Sequence, residues 1–197
     1  ARVLCVRITY LGELGFELYI PAEAATHVYD RLIEAGKNFG LKHAGLKALA
    51  SCRMEKGYRD FGHDIDNTDN PLETGLGFAV DWNKPDGFLG KEALAKAKAA
   101  GPMTRRLVQV LVKDPEPLMY HVEVLRRNGR AVGYVRAASY GHTLGGAVGL
   151  AMLEAGEPVN AAYLEGGKWE IEINGKNYPC AVSLRPMYDP EMKQIKA

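Results

Sequence analysis

Residues 10–18 read YLGELGFEL, a glycine-rich turn set between two apolar segments. The segment before the turn, Val3 to Tyr10, is rich in apolar and β-branched residues, and Phe16 to Ile20 follows the turn with a second apolar segment. Apolar segments that flank a glycine turn in this way are typical of paired β-strands. We therefore predict a β-hairpin over residues 3–20.

Two helices and a third strand are predicted to follow the hairpin. Residues 21–35 and 43–55 each carry apolar side chains at helical spacing, and glycines follow both segments. Residues 71–80 are apolar with interspersed glycines and are predicted to return as a strand. This order favours an α+β lobe in which helices cover one face of an antiparallel sheet.

The second half of the chain has a mainly β pattern. Residues 91–100 predict a short helix, which Gly101 and Pro102 end. Short strands are then predicted at 106–112, 122–126, 131–134, 147–152, 158–164, 169–173 and 178–184. Such strands close most readily into a small barrel or a sandwich. We therefore expect two domains, residues 1–86 and 87–197, with a polar, loosely held tail over 186–197.

The composition describes a globular chain of 197 residues with balanced charge. Lysine and arginine total 25 against 24 for aspartate and glutamate, and this net charge of +1 disfavours a nucleic-acid partner. Cys5, Cys52 and Cys180 share no metal-ligand spacing, so neither a zinc site nor a disulfide framework is predicted, and a reducing compartment is favoured. No apolar run approaches the roughly 20 residues that cross a bilayer, so no membrane contact is predicted. A strand already under way at Val3 suggests a piece of a longer protein.

Glu13 lies between Gly12 and Gly15 at the turn of the predicted hairpin, where a carboxylate can reach a ligand that approaches the backbone closely. Such a carboxylate can accept two hydrogen bonds from an amidine-like edge, as on a pterin ring. An ordinary solvated glutamate is the more common occupant of such a position, because turn residues are usually polar. The residue pattern alone leaves both interpretations open.

Arg53 falls on the helical stripe that also carries Leu46 and Leu49 and should face the core. Arginine is almost never buried without a partner. Its side chain must therefore reach solvent, pair with an acid such as Glu55 or Asp64, or bind a ligand carboxylate. The sequence alone leaves these three alternatives open.

The loop after this helix, residues 58–64, reads YRDFGHD and combines aromatic, basic and acidic groups. His63 and Asp64 are candidates for an acid/base pair, although neighbours in sequence need not have the required geometry. The sequence contains no nucleophile elbow, phosphate-binding loop or dinucleotide fingerprint. The residues by themselves therefore indicate a binding lobe and a β-domain, but no reaction.

The stretch from Tyr10 to Leu18 resembles the Y-x-G-E-x-G-x-E-hydrophobic hairpin of the glycine-cleavage T-protein, or aminomethyltransferase, family. Residues 45–57 are similar to that family's G-x-R-A-x-x-S-x-R-x-E-x-G helix, with Lys47 where arginine is usual. The segments DID at 64–66 and PLE at 71–73 continue the match.

The resemblance extends over nearly the whole chain. The FLG linker at 88–90, the RRL strand at 105–107 and the segment from 132 to 152 are similar to the family's C-terminal barrel. The segments GELG at 12–15 and EKGYR at 55–59 are closer to sarcosine and dimethylglycine dehydrogenases than to the stand-alone T-protein. The resemblance thus implies a folate-binding lobe followed by a small C-terminal β-barrel.

The resemblance also implies where a ligand would bind. In this family tetrahydrofolate lies in a central channel between the α+β lobes, so Glu13 is expected to bind the pterin and Arg53 the folate carboxylate. Tyr10 and Phe61 complete the predicted folate-binding set. Phe61 stands where the family has a tyrosine, so a contact through that hydroxyl is lost. No catalytic residue and no metal ligand is predicted.

The function implied is that of the tetrahydrofolate-binding C-terminal portion of a sarcosine or dimethylglycine dehydrogenase-like protein, which passes a one-carbon unit from an N-methylamine to tetrahydrofolate. FAD and the first α+β lobe would belong to the missing N-terminal part of the parent chain, so this piece is expected to be inactive alone. The alternatives are a piece of a stand-alone aminomethyltransferase or folate-dependent demethylase, or a non-catalytic regulatory module of the same fold. The bacterial cytoplasm or the mitochondrial matrix is the expected location.

Overall fold

The first part of the chain contains a small antiparallel sheet. The computed structural model describes residues 1–196; Ala197, the last residue of the predicted tail and second domain, lies outside the described residues. Two short strands, β1 (Leu4–Val6) and β2 (Glu17–Tyr19), pair antiparallel, which confirms the predicted hairpin. The strands are shorter than predicted because residues 7–16 form an irregular loop, in which Gly12 has a left-handed φ of 77°.

Three helices occur where the sequence predicts them. They are α1 (Ala25–Gly36), α2 (Leu46–Glu55) and α3 (Lys91–Ala99). Short 3₁₀ turns flank α1 on both sides, at Ala22–Ala24 and Lys37–Phe39. The N-terminal half of α2 is exposed and its C-terminal half is buried, so only that half packs against the rest of the chain.

The end of α2 is a Schellman motif, which turns the chain sharply. The Gly57 N–H donates to the carbonyl of Met54 (3.0 Å), and the Tyr58 N–H donates to the carbonyl of Arg53 (2.9 Å). Gly57 supplies the left-handed φ, here 64°, that this motif requires. The motif therefore fixes where the loop with the predicted site residues begins.

The strand predicted over residues 71–80 is wrong. This segment consists of turns followed by a 3₁₀ turn at Gly77–Ala79. The Asn70 side chain accepts hydrogen bonds from the backbone N–H groups of Leu72 (2.9 Å) and Glu73 (3.1 Å). These local hydrogen bonds satisfy backbone N–H groups that in a strand would bond to a neighbouring strand. The segment therefore forms a turn despite its apolar pattern.

Six strands close into an antiparallel barrel after α3. They are β3 (Arg105–Val112), β4 (Val124–Arg127), β5 (Arg130–Gly141), β6 (Gly146–Glu154), β7 (Trp169–Ile173) and β8 (Lys176–Ser183). Around the barrel the order is β3, β6, β5, β4, β7 and β8, and β8 pairs with β3 to complete the ring. The α+β class with a small C-terminal β-barrel is thus confirmed.

One predicted barrel strand, 158–164, is also wrong. Residues Ala161–Glu165 form a short helix, α4, whose first turn is capped by the Asn160 side chain accepting from the Tyr163 N–H (2.9 Å). Asparagine is a strong helix cap, and this bond satisfies one of the free N–H groups at the helix start. Val159 alone of the predicted apolar run enters the core before the helix begins.

Two apolar clusters hold the structure together. One fills the barrel, with Val108, Val110, Leu125, Val135, Ala151 and Ile171 among its members. The other lies outside the barrel wall and joins Met54 of α2 and Ile65 to Leu107, Val148, Leu150 and Met152. The C-terminal half of α2 is therefore seated on the outer wall of the barrel, mainly on strands β5 and β6.

The tail is held in place, contrary to the prediction that it is loose. The Met187 N–H donates to the Gln109 side chain (2.6 Å), and Asp189 accepts from the N–H groups of Lys193 (2.8 Å) and Gln194 (3.1 Å). We call residues 186–195 the strap, because they run from the end of the barrel back across the first lobe. Arg7 donates to the carbonyl of Ile195 (3.1 Å) and ties the far end of the strap to the loop after β1.

Candidate functional site

A cavity of about 540 Å³ lies between the loop after α2, the segment around Gly75–Phe78 and the start of the strap. Its volume falls in the range of about 300–1,000 Å³ that is usual for small-molecule sites. Its aromatic wall is formed by Tyr10, Tyr58, Phe61 and Phe78, and its cationic groups are Lys56, Arg59 and Arg185. A larger cavity of about 820 Å³ beside α3 contains none of the predicted site residues.

Tyr10 and Phe61, two of the predicted folate-binding residues, both line this cavity. The Tyr10 hydroxyl donates to the carbonyl of Arg59 (3.2 Å), and its ring lies 6.3 Å from that of Tyr58. Burial raises the pKa of Tyr10, so its hydroxyl stays a donor at neutral pH. Phe61 is 72% exposed at the rim. The structure thus brings these two residues, 51 positions apart in the chain, into one wall.

Glu13 is not among the residues that line the cavity. Its Oε1 accepts a hydrogen bond from the hydroxyl of Tyr188 in the strap (2.9 Å). This bond, lost on ionisation, raises the pKa of Tyr188, since a phenolate there would also face a carboxylate. The preceding Gly12 rests on the stem of Lys56, where a Cβ would overlap the lysine chain. The position of Glu13 therefore depends on the strap and on Lys56.

Arg53 forms a buried ion pair with Asp64, whose side chain is fully buried. The guanidinium also donates to the carbonyl of Tyr58 (3.1 Å). Of the partners that the sequence left open, Asp64 is the one found; Glu55 instead accepts from the N–H groups of Thr143 (2.7 Å) and Leu144 (2.8 Å) in the barrel. Arg53 does not line the cavity, but it fixes the loop that carries Phe61.

The structure does not bring His63 and Asp64 together as an acid/base pair. Asp64 is turned inward to Arg53 and accepts from the N–H of Asp60 (2.9 Å). His63 is exposed and its Nδ1 lies 3.3 Å from a carboxylate oxygen of Asp60. The two side chains thus point in different directions, and the arrangement needed for proton transfer between them does not exist here.

Two of the three cations of the cavity are already bound within the protein. Lys56 is fully buried and donates to both the carbonyl (2.8 Å) and the carboxylate (2.6 Å) of Asp189, which helps hold the pKa of Asp189 at about 2. Arg59 donates to the carbonyls of Thr74 (3.0 Å) and Gly57. Burial lowers the pKa of Arg59, and Asp64 and Arg106 act on it in opposite directions.

Lys56, Tyr188 and Asp189 are residues that the sequence did not single out. Lys56 sits one residue past α2 and meets Asp189 across 133 positions of the chain, so no local pattern relates them. An Asp-Pro dipeptide, residues 189 and 190, is a known turn signal and was the available hint of an ordered tail.

Metal and membrane sites find no support in the described residues. Within 1–196, no group of three or more His, Cys, Asp or Glu side chains is placed to hold a metal ion. No helix in this range is both long enough and apolar enough to cross a bilayer. All three cysteines are unpaired, and burial raises the pKa of Cys180 to about 12.

Comparison with known proteins gives the family. The GCVT N-terminal domain model matches residues 1–84, and the glycine cleavage T-protein C-terminal barrel domain model matches residues 105–189. The chain is 45% identical over 191 residues to a 4-methylaminobutanoate oxidase (formaldehyde-forming) of Paenarthrobacter nicotinovorans, covering 97% of this chain and 22% of that protein. It is 37% identical over 196 residues to human mitochondrial sarcosine dehydrogenase, covering 98% of this chain and 21% of the dehydrogenase.

The fold of a solved relative agrees. The crystal structure of the glycine cleavage system aminomethyltransferase T from Bartonella henselae superposes with a TM-score of 0.79 at 26% identity, and the match covers 94% of this chain and 50% of that one. This chain therefore spans about half of that aminomethyltransferase and about a fifth of the oxidase and the dehydrogenase. The chain belongs to the glycine-cleavage T-protein, or aminomethyltransferase, family, and sarcosine and dimethylglycine dehydrogenases are among its relatives.

Proposed function

We propose that this chain is the tetrahydrofolate-binding C-terminal portion of a sarcosine or dimethylglycine dehydrogenase-like protein, whose parent passes a one-carbon unit from an N-methylamine to tetrahydrofolate. The observation that carries the proposal is the cavity of about 540 Å³ in which Tyr10 and Phe61 meet. The family membership supports it, since the relatives include aminomethyltransferases and sarcosine dehydrogenases.

The walls of the cavity suit the chemistry of a reduced folate. A flat pterin or benzoyl ring can stack on the aromatic side chains of Tyr10, Tyr58 and Phe61. Cations beside these rings suit a carboxylate, because guanidinium and carboxylate groups pair through charge-assisted hydrogen bonds. The cavity is also large enough for most of such a ligand.

We propose a role for each of the predicted residues. Tyr10 and Phe61 form the wall, and Glu13 accepts hydrogen bonds from the amidine-like edge of the pterin while Tyr188 holds its other oxygen. Arg53 remains the sequence-based candidate for the folate carboxylate, and its pairing with Asp64 adds a role in shaping the loop. Tetrahydrofolate, when bound, supplies the amine nitrogens that accept the one-carbon unit; this chain binds and orients it.

The first lobe supports the proposal that the site is shared with a preceding part of the parent chain. Many large apolar side chains of this lobe are exposed: Leu4, Ile8, Leu14, Phe16, Leu18, Tyr19, Tyr29, Leu32, Phe39, Leu41 and Leu46. Monomeric proteins rarely leave contiguous apolar patches beyond a few hundred Å² in contact with water. We propose that the N-terminal part of the parent covers them, that it carries FAD, and that the parent works in the bacterial cytoplasm or the mitochondrial matrix. The relatives include bacterial and mitochondrial proteins.

A second candidate function rests on the name of one relative. The Paenarthrobacter protein, 45% identical to this chain, is named as an oxidase that forms formaldehyde. A parent of that kind would oxidise an N-methylamine and release the carbon as formaldehyde rather than transfer it. The two candidates share the amine chemistry and differ in where the carbon goes.

The test is to measure the product of the full-length protein with and without tetrahydrofolate. Sarcosine, dimethylglycine and 4-methylaminobutanoate serve as amine probes, and formaldehyde and methylenetetrahydrofolate are quantified. We expect methylenetetrahydrofolate to appear, with a matching fall in formaldehyde, faster than the same amount of free formaldehyde condenses with tetrahydrofolate in a control without protein. Formation no faster than this spontaneous condensation would favour the second candidate. Absence of both amine turnover and folate binding would remove both and leave a regulatory module.

A further inference from the structure

The electrostatics of the cavity single out one cation. Lys56 is neutralised by Asp189, and Arg59 donates to backbone carbonyls through its Nε and one Nη. Arg185, in contrast, is exposed, and its guanidinium makes no hydrogen bond and no ion pair with any of residues 1–196. Of the cations that line this cavity, Arg185 is thus the one whose guanidinium is wholly unengaged by the described residues.

The backbone around Arg185 is held by hydrogen bonds, although the guanidinium of Arg185 makes none with the described residues. The Arg185 N–H donates to the hydroxyl of Ser183 (3.1 Å), and Pro186 follows with its restricted φ. Two residues on, the Met187 N–H donates to the Gln109 side chain (2.6 Å), which itself donates to the carbonyl of Met54 (2.7 Å). A side chain anchored in this way at its base loses less freedom when it binds a ligand than one on a mobile loop.

The surroundings favour a negative ligand end at this place. Arg59 and Arg106 are both partly buried, and burial lowers the pKa of each. The Nε of Arg106 has no hydrogen-bond partner among the described residues. Arg59 adds positive potential to the cavity, whereas two nearby carboxylates are already paired, Asp64 with Arg53 and Asp189 with Lys56.

We propose that Arg185, at the end of β8, binds the carboxylate end of the ligand, so that the glutamate tail of a folate leaves the cavity between the barrel and the strap. The pterin ring would then stack on the aromatic wall of Tyr10 and Phe61. This inference rests on the proposed function, because it names the contact for one end of the proposed ligand. It adds a second arginine for the two carboxylates of the glutamate tail, one that lines the cavity, whereas the charge of Arg53 is already met by Asp64.

The experiment is a pair of titrations of the full-length protein with two ligands. One ligand is tetrahydrofolate, and the other is 6-methyltetrahydropterin, which has the pterin ring and no carboxylate. They are titrated into the unchanged protein, Arg185→Ala, Arg185→Lys and the control Arg130→Ala, which removes an exposed arginine outside the cavity. Thermal unfolding shows that each variant is folded.

We expect Arg185→Ala to weaken tetrahydrofolate binding about tenfold or more and to leave the pterin affinity unchanged. Arg185→Lys should recover part of the loss, and Arg130→Ala should change neither affinity. An unchanged tetrahydrofolate affinity in Arg185→Ala, or an equal loss for both ligands, would overturn the assignment of Arg185. If the unchanged protein binds neither ligand, the proposed function itself fails, and the inference fails with it.

Discussion

The position of Arg53 on an apolar helical stripe predicted that its guanidinium needs a partner, without deciding which of the candidates it is. The apolar stripe of α2 required a partner for the guanidinium, and Asp64 supplies it from the following loop. The ion pair joins α2 to the loop of Phe61, so it acts on the cavity through the backbone. Its contribution to folding and any contribution to folate binding must therefore be measured separately.

We predict that Arg53→Met destabilises the chain by about 3 kcal/mol or more, because Asp64 would remain buried without its counter-charge. Replacing both residues, as Arg53→Met with Asp64→Leu, should cost less than the sum of the two single changes. Urea unfolding of the three variants gives the coupling energy directly. Additive single effects would show that the ion pair contributes nothing to stability.

Val122 carries the clearest local strain in the chain. This exposed β-branched residue has a φ of 64° in the turn before β4, where its N–H donates to the carbonyl of Val135 (2.7 Å). A Cβ costs about 1–2 kcal/mol in this region, whereas glycine costs nothing there. Because glycine also has a more flexible unfolded state, the net gain is smaller than the strain.

We therefore predict that Val122→Gly raises the free energy of unfolding by about 1 kcal/mol. The matched control is Asn128→Gly, since Asn128 has a similar φ of 52° but asparagine tolerates this conformation. Its effect should be within about 0.5 kcal/mol of zero. Thermal unfolding of both variants measures these effects. A lower melting temperature for Val122→Gly than for the unchanged chain would contradict the claim that Val122 is strained.

At the scale of elements, the sequence predicted well those helices and strands that have a regular apolar pattern between clear turn signals. Strand β7 was predicted to the residue, because an alternating run lies between a double glycine and an Asn-Gly turn. The segment 71–80 failed because the Asn70 side chain captures the backbone first. The site shows the same division: Tyr10 and Phe61 lie in family motifs, while Lys56 and Asp189 meet only in three dimensions.

The strap is the element that the sequence missed, and its anchor is open to a pH test. The pKa of Asp189 in the folded protein is lowered to about 2, first by the hydrogen bond from Lys56. A carboxyl group with a lowered folded-state pKa stabilises the fold above its unfolded pKa of about 3.9. That contribution is lost as the pH falls from about 4 through about 2, because the group is then protonated in both states.

We predict that Asp189→Asn lowers the melting temperature at pH 7 and that the difference from the unchanged chain narrows between pH 4 and pH 2. Asp86→Asn, which changes an exposed carboxylate away from the strap, should show no such pH-dependent difference. Thermal scans from pH 2 to pH 7 supply the comparison. A constant gap at all pH values would mean that the charge of Asp189 is not what anchors the strap.

At the scale of the whole molecule, stability is distributed unevenly. The barrel encloses a continuous apolar cluster, and the C-terminal half of α2 packs against its outer wall. In the first lobe, α1 is amphipathic but has no buried residue. The part of the chain that the family comparison matches to the T-protein N-terminal domain is thus the part with the least internal support.

We predict that hydrogen exchange of the isolated chain is fast in α1 and slow in β3 and β6. Isolated helices shorter than about 12–15 residues are marginal in water, and α1, with 12 residues, buries none of them. The control lies in the same molecule: α2 has 10 residues, but Ser51, Arg53, Met54 and Glu55 are buried, so its last turns should exchange slowly. In the full-length protein the amides of α1 should become protected if another part of the parent covers its apolar face. Equal protection of α1 and α2 in the isolated chain would show that the first lobe is stable without such a cover.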